Sequence, residues 1–361
     1  MSAESDRRFM ALALALAARG LGNVAPNPAV GCVIVQGSTI VGRGWTQLGG
    51  RPHAEAVALA QAGAAAQGAT AYVTLEPCAH HGQTPPCAAA LVTAGVARVV
   101  SAATDPDPRV SGRGLAMLRA AGVVVQEGVL GAEARELNAG FLLRIEAGRP
   151  WVTLKLAMAL DGRIATASGA SRWITGGPAR RAVHLMRARH DAVMVGIGTA
   201  LADDPELTVR ELGVLRQPIR IVMDSQLRLA PGSKLARSAD VAPVWLCHTA
   251  AARPMPGLRL ISCAADACGR VDLADAMRHI AEAGVTRLFC EGGGTLAAGL
   301  LAAGLVDELV CISAGRVFGD NGTPAVGAMQ DFGLPDTADF AIVEHRRLGE
   351  DLLHRWQRKK V

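Results

Sequence analysis

The sequence predicts two α/β domains. Short apolar runs alternate with stretches of helical spacing through both halves of the chain, the pattern of layered α/β folds. The alternation breaks around Glu146-Ala-Gly-Arg-Pro150, where glycine and proline punctuate the chain. With 361 residues there is room for two or three domains of about 100–200 residues each. We place the domains at 1–147 and 148–361.

In the first half, Phe9–Ala18 is an apolar run after Arg7-Arg8 that imitates a signal peptide. It is shorter than the ~20 residues a membrane span needs. Asp6 is read as its cap and Arg19-Gly20 as its stop, so a helix packed on the domain is expected. Ala25-Pro-Asn-Pro-Ala-Val-Gly31 is a turn, and Cys32–Gly44 reads as a hairpin. His53–Gly63 has helical spacing, with His53 and Glu55 at its start. Ala71–Leu75 is a buried strand that ends at Glu76-Pro77-Cys78, and Cys87 opens the next helix. Val96–Ala102 and Val123–Val125 are strands flanking a helix at Gly114–Ala121.

The second half opens on a long apolar strand, Trp151–Leu160. A helix follows at Pro178–Arg189, then strands at Ala192–Gly196, Arg220–Asp224, Val244–Cys247, Arg287–Glu291 and Glu308–Ile312.

Half of the chain is hydrophobic, enough for full cores, but only 3% is aromatic. Stacking of single-stranded nucleic acid on aromatic platforms is therefore poorly served. A net charge of +5 without a dense basic run before the C-terminus suits a small phosphorylated substrate, or simply an ordinary surface. Eight cysteines without a C-x-x-C argue for a reducing compartment, taken as the cytoplasm. Cys32, Cys247, Cys263, Cys268, Cys290 and Cys311 read mostly as small core residues.

The chemistry concentrates at His53-Ala-Glu55 and Thr74–Cys87. His53, Cys78 and Cys87 supply three corners of a zinc tetrahedron and leave the fourth for water, as catalytic zinc sites do. Zinc lowers the pKa of that water to about 7, which allows attack on the amidine-like carbon of an aminopyrimidine. Glu55 is the candidate for moving the protons. The zinc nucleobase deaminases carry H-x-E…P-C-x-x-C, whereas the cysteines here are spaced C-x8-C. A closed structural site would take its fourth ligand from His80 or His81, but Gly82 and the prolines suggest a loop facing substrate.

In the second half, Glu291-Gly-Gly-Gly-Thr follows a strand and opens a helix, either a phosphate cradle or a tight turn. No G-x-G-x-x-G follows the first strand of this half, so a standard dinucleotide fold is not supported. Ser171-Arg-Trp173, Gly196–Thr199 and Ala202–Arg210 gather polar groups at strand ends, where α/β sheets bind ligands. Taken singly, Arg187 and Arg210 read as surface charges.

Together these motifs resemble the bifunctional riboflavin-biosynthesis deaminase–reductases over nearly the whole chain. The resemblance rests on Pro26-Asn-Pro28, His53-Ala-Glu55, Glu76–Gly82, Thr84–Cys87 and Asp105-Pro106 in the first half. In the second it rests on Leu160–Arg163, Ser171–Thr175, Leu201–Arg210, Asp224-Ser225 and Glu291–Gly294. It implies a cytidine-deaminase-like three-layer domain followed by a dihydrofolate-reductase-like domain. It further implies hydrolytic deamination of a phosphoribosylamino diaminopyrimidinone at zinc, then reduction of the ribosyl group to ribityl with NADPH.

Carried onto matching positions, His53, Cys78 and Cys87 are the zinc ligands, Glu55 is the proton donor, and Asn27 and His80 contact the pyrimidine. Ala157, Trp173, Thr199, Asp203, Ser225 and the run Gly293, Gly294, Thr295, Leu296, Ala297, Ala298, Gly299 would line NADPH. Ser171, Arg187, Leu207, Arg210 and Glu291 would hold the substrate, the two arginines suiting its phosphate. Lys155 is assigned to orienting the sugar. The family also implies a dimer or tetramer, with neither nucleic acid nor membrane as partner.

Two positions depart from the family pattern, Gln83 and Asp107, and weaker binding at the deaminase site is expected from them. The competing readings are a nucleic-acid base deaminase with an accessory domain and a zinc-stabilised scaffold. The C-x8-C spacing, the few aromatics and the second α/β half speak against the former. An open fourth corner speaks against the latter.

Overall fold

The structure, a computed structural model, describes residues 2–79, 85–107, 110–171, 173–213, 216–251, 254–329 and 339–359. The chain divides into two compact units, Met1–Gly148 and Arg149–Val361.

The first unit runs α1 (Ala3–Ala17), β1 (Gly31–Gln36), β2 (Thr39–Trp45), α2 (Ala54–Ala62), β3 (Thr70–Val73) and α3 (Cys87–Thr93). It continues with β4 (Arg98–Ser101), α4 (Arg113–Ala120), β5 (Val124–Glu127), α5 (Gly131–Leu137) and α6 (Ala139–Ala147). Its sheet has the order β2-β1-β3-β4-β5. β1 is antiparallel to β2 and β3, and β3, β4 and β5 are parallel.

The alternation within β1 makes three layers. Cys32 and Ile34 face α2, α3 and α4 through Ala54, Ala58, Leu91, Leu115 and Leu118. Val33 and Val35 face α1 and α5 through Phe9, Met10, Ala13 and Ala134. Helix α2 lies directly on β2: a Cβ at Gly44 would stand 2.1 Å from the Ala54 carbonyl oxygen. That contact fixes the helix whose first turn carries Glu55.

Asp6 does not cap α1. Ser2 is the cap, its side chain accepting from the Ser5 N–H. Asp6 is buried one turn in, paired with the Arg98 guanidinium at 2.8 Å and accepting from the Tyr72 hydroxyl at 2.8 Å. A carboxylate early in a helix suits the macrodipole as well as a cap does, so the sequence alone does not separate the two roles.

The second unit runs β6 (Trp151–Ala159), β7 (Arg163–Ala165), α7 (Gly177–Ala188), β8 (Ala192–Gly196), α8 (Ile197–Asp203) and β9 (Ile219–Met223). Then come α9 (Lys234–Arg237), β10 (Val244–His248), β11 (Leu258–Ser262), α10 (Leu273–Glu282), β12 (Arg287–Cys290) and α11 (Gly294–Ala302). Finally there are β13 (Glu308–Ala314), β14 (Thr323–Pro324), β15 (Phe340–Leu348) and β16 (Asp351–Arg358).

Among the described residues its main sheet has the order β11-β10-β9-β8-β12-β6-β13-β16-β15. Strands β11 to β13 along that order are parallel, and β16 and β15 close the sheet antiparallel. The parallel strands are apolar on both sides because helices cover both faces. α10 and α11 bury Met277, Ile280, Ala297 and Leu300 on one face. Ile197 and Ala200 of α8 and Leu235 of α9 are buried on the other. The Arg149 guanidinium pairs with Asp307 at 2.7 and 2.8 Å, and Asp307 also accepts from the Val152 N–H, so β6 is pinned to the entry of β13.

Among the described residues no helix is long and apolar enough to cross a membrane.

Candidate active sites

In the first unit the site forms where α2, the end of β3 and α3 meet. His53 stands at the N-cap of α2, Cys78 follows β3, and Cys87 is the first residue of α3. His53 Nδ1 lies 3.8 Å from Cys78 Sγ and 3.3 Å from Cys87 Sγ. Together they are the group of three metal-capable side chains found among the described residues, with ligand atoms within 4.8 Å of one another. A tetrahedral zinc with Zn–N of about 2.0–2.1 Å and Zn–S of about 2.3 Å separates N and S by about 3.6 Å. The donor set and spacing fit zinc. Three protein donors also leave a position for water, as in catalytic sites.

The Cys87 contact and His53 draw Cys78 down to about 4, against burial, while Cys78 pushes Cys87 up. Glu55 is 3% exposed, and its carboxylate meets the Cys87 thiol. Burial pushes it up to about 7.

Two supports of this site escaped the sequence reading. Glu76, beside the site, accepts from the N–H groups of Gly112 (3.0 Å) and Gly114 (2.9 Å), satisfying the open end of α4. Gly114 in turn admits the Pro77 carbonyl: a Cβ there would sit 1.9 Å from its oxygen. The loop that delivers Cys78 is thus seated on α4. The second support is buried Asn138, whose amide accepts from Ala29 N–H (2.9 Å) and donates to Ala29 C=O (3.0 Å). That pairing clamps the proline turn carrying Asn27. His80 and Gln83 lie outside the described residues. Asp107 is buried, and its N–H donates to Asp105 at 2.9 Å.

In the second unit Thr199, Ser225, Glu291 and Gly293 follow the C-terminal ends of the parallel strands β8, β9 and β12, whereas Lys155 and Ala157 lie within β6 and Arg187 within α7. Glu291, just after β12, accepts from Arg187 Nε and from Nη2 at 3.0 Å, and Lys155 Nζ is 4.0 Å away. Burial raises the Glu291 carboxyl, but Arg187 and Lys155 outweigh it and hold it below its ordinary value. Burial lowers Lys155, with Glu291 opposing. Arg187 Nη1 also donates to the Thr208 carbonyl at 2.8 Å, so its guanidinium is engaged within the protein. Arg210 is the one turned outward, its side chain 52% exposed and paired with Glu206 at 2.9 Å. Leu207 is 3% exposed.

Gly292 packs so closely on β8 that a Cβ would stand 2.8 Å from the Gly196 nitrogen. The Gly293 N–H donates to Thr199 Oγ1 at 3.2 Å, tying the glycine run to α8. Helix α11 opens at Gly294 with no side chain capping it. Ala297 and Ala298, assigned to the cofactor from sequence, are buried in the core. Ser225 is tied to neighbouring loops, its Oγ accepting from Val271 N–H at 3.0 Å. Asp203 closes α8, and Ala157 lies half-buried on β6. Ser171 is half-buried, while Trp173 is exposed beneath the Arg180 guanidinium, 4.6 Å from its ring.

Comparison with known proteins accords with this two-part chemistry. Residues 3–103 match the cytidine and deoxycytidylate deaminase zinc-binding region, and residues 150–354 match the RibD C-terminal domain. The riboflavin biosynthesis protein RibD of Escherichia coli K12 is 45% identical over 96% of this chain and 98% of its own length. The chain belongs to the RibD family. Within that family, the Acinetobacter baumannii RibD structure (form 1) superposes with a TM-score of 0.90 at 37% identity, covering 99% of this chain and 100% of that one. A Thermotoga maritima structure titled diaminohydroxyphosphoribosylaminopyrimidine deaminase/5-amino-6-(5-phosphoribosylamino)uracil reductase gives 0.88 at 33% identity, covering 99% of both chains. Like other RibD proteins, this one is a bifunctional enzyme of riboflavin biosynthesis, a zinc-dependent deaminase joined to an NADPH-dependent reductase. The first unit has the cytidine-deaminase-like fold and the second the dihydrofolate-reductase-like fold.

Proposed function

We propose that the first unit deaminates 2,5-diamino-6-(5-phosphoribosylamino)pyrimidin-4(3H)-one. The second then reduces the ribosyl group of 5-amino-6-(5-phosphoribosylamino)uracil to ribityl. The observation that carries this reading is the convergence of His53, Cys78 and Cys87 beside the buried Glu55. The activities named for the Thermotoga relative support the choice of substrates.

His53, Cys78 and Cys87 would hold zinc, which when bound acts as a Lewis acid on a water molecule. Glu55 accepts a proton from the attacking water and returns one to the departing amine, so that ammonia leaves and a carbonyl remains. The contact of its carboxylate with Cys87 supports this role. Asn27, held by the Ala29 clamp, orients the pyrimidine, with His80 as the second contact.

In the reductase, NADPH when bound supplies the hydride. Thr199 and the first turn of α11 cradle its diphosphate, and Ala157, Trp173, Asp203 and Ser225 line the rest. Lys155 orients the sugar, and Glu291 holds Lys155 and Arg187 in place. Arg210 pairs with the phosphate, while Ser171 and the Leu207 backbone complete the substrate contacts. Alignment of cofactor and sugar carbon does most of the remaining work.

The enzyme acts in the cytoplasm, which its free cysteines suit. It assembles as a homo-oligomer, a dimer or tetramer. The edge strand β15 supports this, with Ile342 and Val343 exposed. Light scattering checks the assembly: a monomer at micromolar concentration contradicts it. For the activities, purified protein supplied with zinc and the diamine should release ammonia and only then oxidise NADPH. NADPH oxidation on the unprocessed diamine by a Glu55→Ala protein would contradict the order of steps.

A further inference from the structure

The segment Asp204–Glu211 has an unusual backbone. Three of its non-glycine residues stand in the left-handed region, Asp204 (φ 39°), Leu207 (φ 56°) and Glu211 (φ 64°). L side chains disfavour that region, so surrounding structure must impose it. The restraints are side chains from elsewhere. Arg220, fully buried on β9, donates through Nη1 to the Glu206 carbonyl at 3.1 Å. Arg187 donates to the Thr208 carbonyl at 2.8 Å. His184 Nδ1 accepts from the Arg210 N–H at 3.2 Å.

Gln217 does more than any of these. Its Oε1 accepts from the Val209 N–H at 2.7 Å, and its Nε2 donates to the Val209 carbonyl at 3.0 Å. A single side-chain amide thus pairs with both backbone groups of one residue, as a neighbouring strand would. The clamped residue immediately precedes Arg210. Val209 and Leu207 turn inward and are buried, and Arg210 turns outward.

We propose that Gln217 is a positioning residue for the reductase substrate: by clamping Val209 it sets the outward presentation of Arg210 to the substrate's phosphate. The inference rests on the reading of Arg210 as a phosphate contact. Gln217 touches neither substrate nor cofactor, and it acts through the loop. Its loss therefore weakens substrate binding without altering the hydride step or the cofactor site.

Steady-state kinetics of NADPH oxidation on the deaminated pyrimidine tests this in the full-length zinc-loaded enzyme. Gln217→Leu keeps the bulk and loses both hydrogen bonds. Its KM should rise about tenfold, the factor one well-made hydrogen bond carries. kcat should stay within about twofold, and the NADPH Kd and ammonia release should be unchanged. Gln217→Glu supplies a second readout. A protonated glutamic acid again offers one acceptor and one donor to Val209, and the carboxylate does not. The ratio of its KM to the wild-type KM should fall by about half or more as pH is lowered from 7 to 5, towards the ordinary glutamate pKa of about 4.3, titration of the substrate phosphate cancelling in the ratio.

A KM for Gln217→Leu within twofold of wild type, where Arg210→Ala raises KM strongly, overturns the proposal alone. So does a parallel loss of kcat and NADPH affinity, or a pH-independent ratio for Gln217→Glu. If Arg210→Ala leaves KM unchanged, the phosphate reading of Arg210 falls and takes the proposal with it.

Discussion

Glu291 balances two buried cations, and removing it should cost the second unit much of its stability. In Glu291→Ala, Arg187 and Lys155 lose their shared carboxylate while their side chains stay only 11% and 15% exposed. Breaking a buried pair by deleting one partner costs about 3–5 kcal/mol, because a charge is left uncompensated. A unit of about 210 residues loses roughly 2–4 °C in Tm per kcal/mol, which gives a fall of about 6–20 °C. Calorimetry of the full chain reads this on the transition that NADPH raises, while the other transition stays in place. The double variant Arg187→Met with Glu291→Leu removes two of the three charges and fills the space. Apolar replacement of a buried pair is often near neutral, so part of the lost Tm should return, Lys155 keeping its uncompensated charge, while NADPH oxidation is lost. A Tm for Glu291→Ala within about 1 °C of wild type would refute the reasoning. So would a double variant no more stable than the single one.

Glu55→Gln should lower ammonia release by about 10²–10⁴-fold with zinc content and NADPH oxidation on supplied intermediate retained; loss of zinc would instead make Glu55 structural. Gly114→Ala puts a Cβ against the Pro77 carbonyl, at a cost of about 1–3 kcal/mol. Bound zinc and ammonia release should fall together in that variant, with reduction untouched, and full zinc occupancy would contradict the seating of the Cys78 loop on α4. Burial holds His190 down at about 4. The unfolded chain therefore binds a proton below about 6.5 that the folded chain refuses until about 4, and stability drains away as pH falls through that window. His190→Phe should flatten the slope of unfolding free energy between pH 6 and 4.5 by close to one proton, about 1.4 kcal/mol per pH unit; an unchanged slope would show that His190 does not titrate there.

Most parallel strands were legible because continuous apolar runs such as Trp151–Leu160 and Ala192–Gly196 have few other uses in a fold of this size, whereas the parallel edge strand β11, with Arg259 and Ser262 exposed, was missed. The zinc residues were legible because their types and spacing carry the chemistry. Their supports were not. Glu76 looks like part of the metal motif but satisfies the end of α4. Arg220 is indistinguishable from a surface arginine until it is found fully buried beneath the Glu206 loop. Arg187 and Arg210 read alike in sequence, yet one is engaged by Glu291 and Thr208 and the other faces outward. The hairpin β15–β16 gave no signal because β15 is exposed on both faces, and alternation marks a strand only when one face is buried. Helices α5 and α6 lie between Val125 and the break at Glu146, a stretch to which the sequence reading assigned no element.

The central claim is that one chain holds a zinc deaminase and a separate reductase acting in sequence. A single preparation tests it most directly, by metal analysis followed by a two-step assay of ammonia release and then NADPH loss. One zinc per chain is expected, with ammonia appearing before NADPH is consumed, and with chelation abolishing the first step while reduction of supplied intermediate continues. Zinc-loaded protein that releases no ammonia from the diamine, or reduction that stops when the metal is removed, would contradict it.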